Sequence, residues 1–268
     1  MTTRAAMNKH RGIRLERREL LAGTALLLAA CRWDQEETVS TSTTLEAADL
    51  AVLRARVFFG HQSVGENILE GIRAIIAPRK LEWVDAKIGT NEQPLSKLEA
   101  FRSAVTEGVG KGASLALMKF CYIDFNAATD VGALFGSYKK TMVDLERECP
   151  KTTFVHFTAP LTTVASGPKA WVQKALGRAA SGERENEKRH AYSDLLRAEY
   201  SGKEPVFDLA AIESGGLAHP RHFELEGRSL PMLAPAFTDD GGHLNAKGRR
   251  VVAAELLRFL ARVPMRGA

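Results

Sequence analysis

Residues 58–67 read Phe58-Phe59-Gly60-His61-Gln62-Ser63-Val64-Gly65-Glu66-Asn67, an apolar run that turns between two glycines into a helical pattern. Upstream, Arg56–Phe59 predicts a short buried strand; downstream, Asn67–Ile76 carries apolar residues at helical spacing. The alternation continues along the chain. Strands are predicted at Leu81–Ile88, Ser114–Phe120, Thr152–Thr158 and Pro205–Leu209, and helices at Leu95–Val109, Val131–Glu148 and Glu183–Tyr200. A last helix fits Asn245–Val263, where Val251, Leu256, Leu257, Leu260 and Val263 share one face and Asn245 is placed to cap the start. Strand and helix in alternation imply an α/β fold in three layers: a doubly wound, mostly parallel five-stranded sheet with helices on both faces. Right-handed crossovers then bring catalytic residues to the carboxyl ends of the strands. The Gly/Pro-rich, weakly periodic stretch 210–238 reads as a long loop over that edge.

The composition, 45% hydrophobic and 26% charged over 268 residues, excludes a disordered, collagen-like or disulfide-dense chain. The net charge of +5 suggests a nucleic-acid partner until it is divided: residues 1–30 carry +4 and the remaining 238 only +1. A basic arm that is discarded binds no phosphate in the mature protein, so nucleic acid is set aside.

Residues 1–30 have the layout of an export signal, an Arg-rich stretch before an apolar run too short to span a bilayer. Arg17-Arg18-Glu19-Leu20-Leu21 resembles a twin-arginine motif, and Leu28-Ala29-Ala30-Cys31 matches a bacterial lipobox. That match implies lipidation at Cys31, a tether over residues 31–48, and a folded domain over 49–268. The expected location is the cell envelope of a bacterium, as an exported lipoprotein anchored in a membrane through its N-terminal lipid. An N-terminal core helix with a buried cysteine is the competing reading. Cys121 and Cys149 suit either a disulfide or two buried thiols.

Two segments carry chemistry. Ser63 lies at a strand-to-helix turn, which exposes its hydroxyl near the positive end of a helix; a serine cap beside a glycine turn explains the same residues. Before the last helix, Thr238-Asp239-Asp240-Gly241-Gly242-His243-Leu244-Asn245 sets a carboxylate three residues from an imidazole, so Asp240 can fix the tautomer of His243 and free its other nitrogen as a base. A polar turn is the alternative. In a doubly wound sheet both segments reach the same edge, where a nucleophile, a base and an orienting carboxylate belong together.

These residues resemble the SGNH, or GDSL-like, hydrolase superfamily, whose fold is a flavodoxin-like three-layer sheet. Asp240-Gly241-Gly242-His243-Leu244-Asn245-Ala246-Lys247-Gly248 is similar to its closing block, and the resemblance runs from about Arg56 to Leu260. It implies a serine esterase with Ser63 as nucleophile, His243 as base and Asp240 as orienter, acting without metal or organic cofactor. The substrate would be a small-molecule or glycan ester carrying an acyl or acetyl group.

The chain departs from that pattern in two places. Gly60-His61-Gln62-Ser63 replaces Gly-Asp-Ser, and Lys119-Phe120-Cys121-Tyr122-Ile123-Asp124-Phe125-Asn126 stands where Gly-x-Asn-Asp would be. The oxyanion donors are therefore sought among Ser63, Gly89, Asn91 and Asn126, and substrate contacts at His61 and Asp124. Lys119 with Asp124 is alternatively a structural ion pair, and His61 a donor to a neighbouring loop. His156 reads as a core histidine, whereas His219 and His222 are candidates to line the long loop. Two other functions compete: an envelope glycan-binding or acyl-transfer accessory on the same fold, and a metal-dependent phosphoesterase built on His61, Asp239, Asp240 and His243.

Overall fold

The computed structural model describes residues 55–76, 83–216 and 220–266. The leader, Cys31, the tether and His219 lie outside the described residues. Five strands form one sheet: β1 (Val57–His61), β2 (Trp83–Lys87), β3 (Leu115–Met118), β4 (Thr153–Phe157) and β5 (Val206–Phe207). Their order is β2-β1-β3-β4-β5, and every pairing is parallel. This is the doubly wound sheet the alternation implies.

Period-two alternation divides the buried strand residues between two cores. Val57, Phe59, Leu115, Leu117, Val155 and Phe157 join the cluster beneath α1 (Ser63–Ile76) and α7 (Ala246–Leu260). Phe58, Ala116, Met118 and Phe154 point the other way, toward α2 (Pro94–Thr106), α3 (Val131–Glu148) and α5 (Glu183–Tyr200). Fully burying one such side chain contributes roughly 1.5–3 kcal/mol. Covering both faces therefore holds the strand ends, where the site lies, against rigid layers. No helix among the described residues is long and apolar enough to cross a membrane.

The helix bounds follow their local chemistry. Asp130 caps α3 by accepting from Ala133 N at 3.0 Å, and Asn245 caps α7 by accepting from Gly248 N at 3.0 Å. Three features differ from the sequence expectation. β1 runs two residues further, to His61, and α1 begins at Ser63 rather than Asn67. A short helix, α4 (Pro168–Ala175), opens on a proline whose fixed φ suits a first turn. Residues 210–238 are not one loop. They contain most of α6 (Leu209–Glu213) and a hairpin of β6 (His222–Leu225) and β7 (Arg228–Pro231). The hairpin turns on Glu226 and Gly227, both with positive φ, the geometry of a tight two-residue turn. Phe223, Leu225 and Leu230 fill a small separate core.

Candidate active site

The strand order places three loops side by side, with Ser63 after β1 in the middle, Gly89 after β2 on one flank and Tyr122 after β3 on the other. The fourth component, residues 238–245, precedes α7. Asn67 Oδ1 in α1 accepts from Leu244 N at 3.1 Å, which ties that loop to the helix bearing Ser63. Thr163 N donates to Gly241 O at 2.8 Å, anchoring it from the β4 side.

The structure brings Ser63, His243 and Asp240 together. His243 Nε2 is 2.9 Å from Ser63 Oγ, and His243 Nδ1 is 2.6 Å from Asp240 Oδ2. Asp240 Oδ1 accepts from Gly242 N at 2.9 Å, His243 N at 2.8 Å and Thr238 Oγ1 at 3.2 Å. The Gly242 N–H, then the His243 imidazole and the His243 N–H, hold the Asp240 carboxyl well below the usual carboxylate range. It therefore stays ionised through the neutral and mildly acidic range, where it fixes the Nδ1–H tautomer of His243. Nε2 is left with the lone pair that faces the serine hydroxyl.

The flank after β2 supplies donors. Gly89 has φ +59°, and a Cβ there would lie 2.6 Å from Lys97 N, so only glycine fits. Its N–H has no protein acceptor among the described residues, whereas its carbonyl accepts from Gln62 Nε2 at 3.0 Å. Gln62 also donates to Ile88 O at 2.7 Å. The residue beside the serine thus clamps the neighbouring loop, a role its sequence context did not reveal. The Ser63 N–H, at the first turn of α1, is one of the donors a helix start leaves without an intrahelical partner.

Several expectations are corrected. His61 is fully buried on the same face as Phe59, with Nδ1 donating to Gln62 O at 2.8 Å and Nε2 3.1 Å from Asp85 Oδ2, so it cannot touch substrate. The extra length of β1 is the cause, because strand alternation sends its side chain inward. Asp124 is buried and faces Lys97, whose Nζ lies 2.7 and 2.5 Å from its oxygens; it also accepts from Cys121 N and Glu92 N. It braces two loops and has no exposed atom to offer a ligand. Its ion partner is Lys97, not Lys119, which donates to Phe120 O at 3.0 Å. Asn126 Oδ1 accepts from Ala128 N at 2.9 Å within its own turn, and its amide N–H groups have no protein acceptor among the described residues. Asn91 is exposed beside the Gly89 loop, with Oδ1 3.4 Å from Lys97 Nζ.

The four residues of the metal reading do not assemble. His61 groups with Glu66 and Asp85, and Arg73 already donates to both carboxylates there. Asp239 accepts from Asn245 Nδ2 instead. His156 is a core residue, bonded to Tyr138 and Glu204 and stacked on Tyr200. His222 lies exposed on β6. Cys121 and Cys149 are free thiols.

Strand order, serine turn and closing Asp-x-x-His loop together give a three-layer α/β fold with Ser63, His243 and Asp240 at one edge of its parallel sheet. No protein-family model matches the chain, and no curated protein matches it. Among solved structures it is similar to a Streptococcus pneumonia protein provisionally described as a platelet activating factor. The identity is 16%, over 89% of this chain and 99% of that one, with a TM-score of 0.48. An acetyl xylan esterase, AlAXEase, is 15% identical over 75% of this chain and 98% of its own, with a TM-score of 0.47. A Parabacteroides merdae protein provisionally described as a GDSL-like lipase is 12% identical over 78% and 97%, with a TM-score of 0.45.

Proposed function

We propose that the protein is a serine ester hydrolase acting on acyl or acetyl esters at the bacterial cell envelope. The observation that carries this reading is the unbroken chain from Ser63 Oγ through both nitrogens of His243 to Asp240. As the Ser63 oxygen bonds to the ester carbonyl carbon, its proton passes to His243 Nε2, and Asp240 stabilises the imidazolium that results. Negative charge moves to the former carbonyl oxygen, toward the Ser63 and Gly89 N–H groups. Collapse breaks the acyl–oxygen bond, and the departing alcohol takes the proton from Nε2. Water then attacks the acyl-serine, gives its proton to the same nitrogen, and returns the serine hydroxyl with release of the acid.

Location narrows the substrate. A chain lipidated at Cys31 would work at a membrane surface facing the envelope, where acetylated or acylated glycans would lie within its reach. The tether of residues 31–48 would give the domain reach to them.

The test is labelling by a fluorophosphonate, which traps activated serines with little demand on substrate shape. Wild type should label and Ser63→Ala should not. Absence of labelling in the wild type, or labelling that survives in Ser63→Ala, would overturn the assignment.

A further inference from the structure

One surface element beside the site has no task in the mechanism above. The helix α4 follows β4 at the carboxyl edge that carries Ser63. Just before it, Thr163 donates its N–H at 2.8 Å to Gly241 O, in the loop of Asp240 and His243. Whereas α1 and α7 bury their apolar residues against the sheet, α4 turns its own outward. Trp171 is 75% exposed, Val172 59% and Leu176, the C-terminal cap, 67%. With exposed Ala175 they span an arc of about 140° at the helical repeat. Ala170, on the other side, is the buried residue of the helix.

The helix is braced from behind. Val164 before it and Ala179 after it pack on Phe223, Leu225 and Leu230 of the hairpin core. Lys174 donates to Glu224 O at 3.2 Å, and its Nζ lies 2.6 Å from Glu183 Oε1. Residues 162–182 carry Lys169, Lys174 and Arg178 and no acidic side chain. Lys169 and Arg178 form no ion pair among the described residues, so an unpaired cation stands at each end of the helix.

Area and charge select the occupant of this face. Its three large side chains expose on the order of 400 Å² together. That is about half of the roughly 800 Å² that each partner of a stable protein pair contributes. A bilayer makes no such demand, because each apolar side chain enters the headgroup boundary separately and tryptophan favours that depth. The unpaired cations match anionic headgroups. We propose that α4 is a docking helix for an anionic phospholipid bilayer, with Trp171, Val172 and Leu176 inserted at the headgroup boundary and Lys169 and Arg178 against the lipid phosphates. Because α4 and Ser63 share one edge of the sheet, docking turns that edge toward the lipid. Docking by α4 requires neither a live Ser63 nor a lipid on Cys31.

The test follows Trp171 fluorescence in the full chain on vesicles of phosphatidylglycerol brominated in its acyl chains, since bromine quenches an indole that it touches. Trp33 and Trp83 are the other tryptophans, and Trp171→Phe subtracts their emission together with any quenching that the N-terminal segment causes. Most of the Trp171 signal should be quenched. The ratio of quenched to unquenched Trp171 should fall about fivefold for each cation removed in Lys169→Gln and Arg178→Gln. It should fall more than about tenfold in Val172→Ser/Leu176→Ser. These positions are exposed, so the unfolding temperature should stay at the wild-type value. Unquenched Trp171 in the wild type would overturn the proposal. So would quenching that all four substitutions together leave unchanged, because Trp171 would then only lie near the lipid. Emission that shifts with protein concentration without lipid, and is not quenched on vesicles, would assign the face to a second copy of the chain instead.

Discussion

Replacing Lys97 by methionine removes one charge from the interior and leaves the other in place. The Lys97 and Asp124 side chains are both fully buried, with Nζ 2.7 and 2.5 Å from the two carboxylate oxygens. In Lys97→Met the stem is nearly kept, so packing changes little, while Asp124 retains only the N–H groups of Glu92 and Cys121. Stranding one member of a buried ion pair costs about 3–5 kcal/mol. For a domain of this size that corresponds to a fall in Tm of about 10 °C.

The double variant Lys97→Met/Asp124→Asn separates the stranded charge from general damage. Asparagine keeps an oxygen for one of the two N–H donors and carries no charge, so the double variant should recover at least about 2 kcal/mol of the single variant's loss. Urea denaturation followed by tryptophan fluorescence gives the four stabilities of the cycle. A loss below about 1 kcal/mol in Lys97→Met would refute the reasoning. So would a double variant whose loss equals the sum of the singles, because the pair would then not be coupled.

Two further outcomes are expected. Burial pushes the Glu213 carboxyl up to about 8, with Oε1 lacking any protein partner among the described residues and Oε2 accepting from Leu161 N at 2.6 Å. A carboxyl raised in the folded state stabilises below its unfolded value and loses that contribution as pH rises toward 8, so stability should fall by on the order of 1 kcal/mol per unit between pH 5 and 8; Glu213→Gln, which mimics the neutral form, should flatten the slope, and an unchanged slope would exclude Glu213 as its source. Lipidation at Cys31 predicts incorporation of an alkyne palmitate into the full chain expressed in a bacterium, lost in Cys31→Ala; equal incorporation in both would place the lipid elsewhere.

What the sequence reveals divides along the range of the interactions. The bounds of α3 and α5 are legible to the residue, because apolar periodicity, capping groups and turn residues are local signals. The acid–base half of the site is legible for the same reason. Asp240 and His243 are three residues apart, and most of the bonds that shape their loop close within it. The substrate reading of His61 fails and the structural one stands because its role depends on whether β1 ends at residue 59 or 61, and two residues of strand decide which way it points. The hairpin at 222–231 escaped notice because its turn uses Glu226 in a conformation glutamate seldom adopts.

The parts that were not legible share a physical feature: each is a polar side chain whose partner lies on another loop. Gln62 meets Ile88 and Gly89, Lys97 meets Asp124, and Arg189 meets Tyr122, at separations of 26 to 67 residues. No periodicity encodes such pairs, since they depend on which strand ends adjoin. These are also the places where the chain departs from the pattern it resembles. The altered residues beside Ser63 and after β3 do not interrupt the Ser63–His243–Asp240 chain; they change how the flanking loops are fastened to it. Gln62 fastens one flank by two backbone carbonyls, and the buried Lys97–Asp124 pair and Arg189 fasten the other. A divergent first block is therefore compatible with an intact nucleophile. On the esterase reading, the property it should alter is how the loops after β2 and β3 are held beside Ser63, and hence which esters would be cleaved.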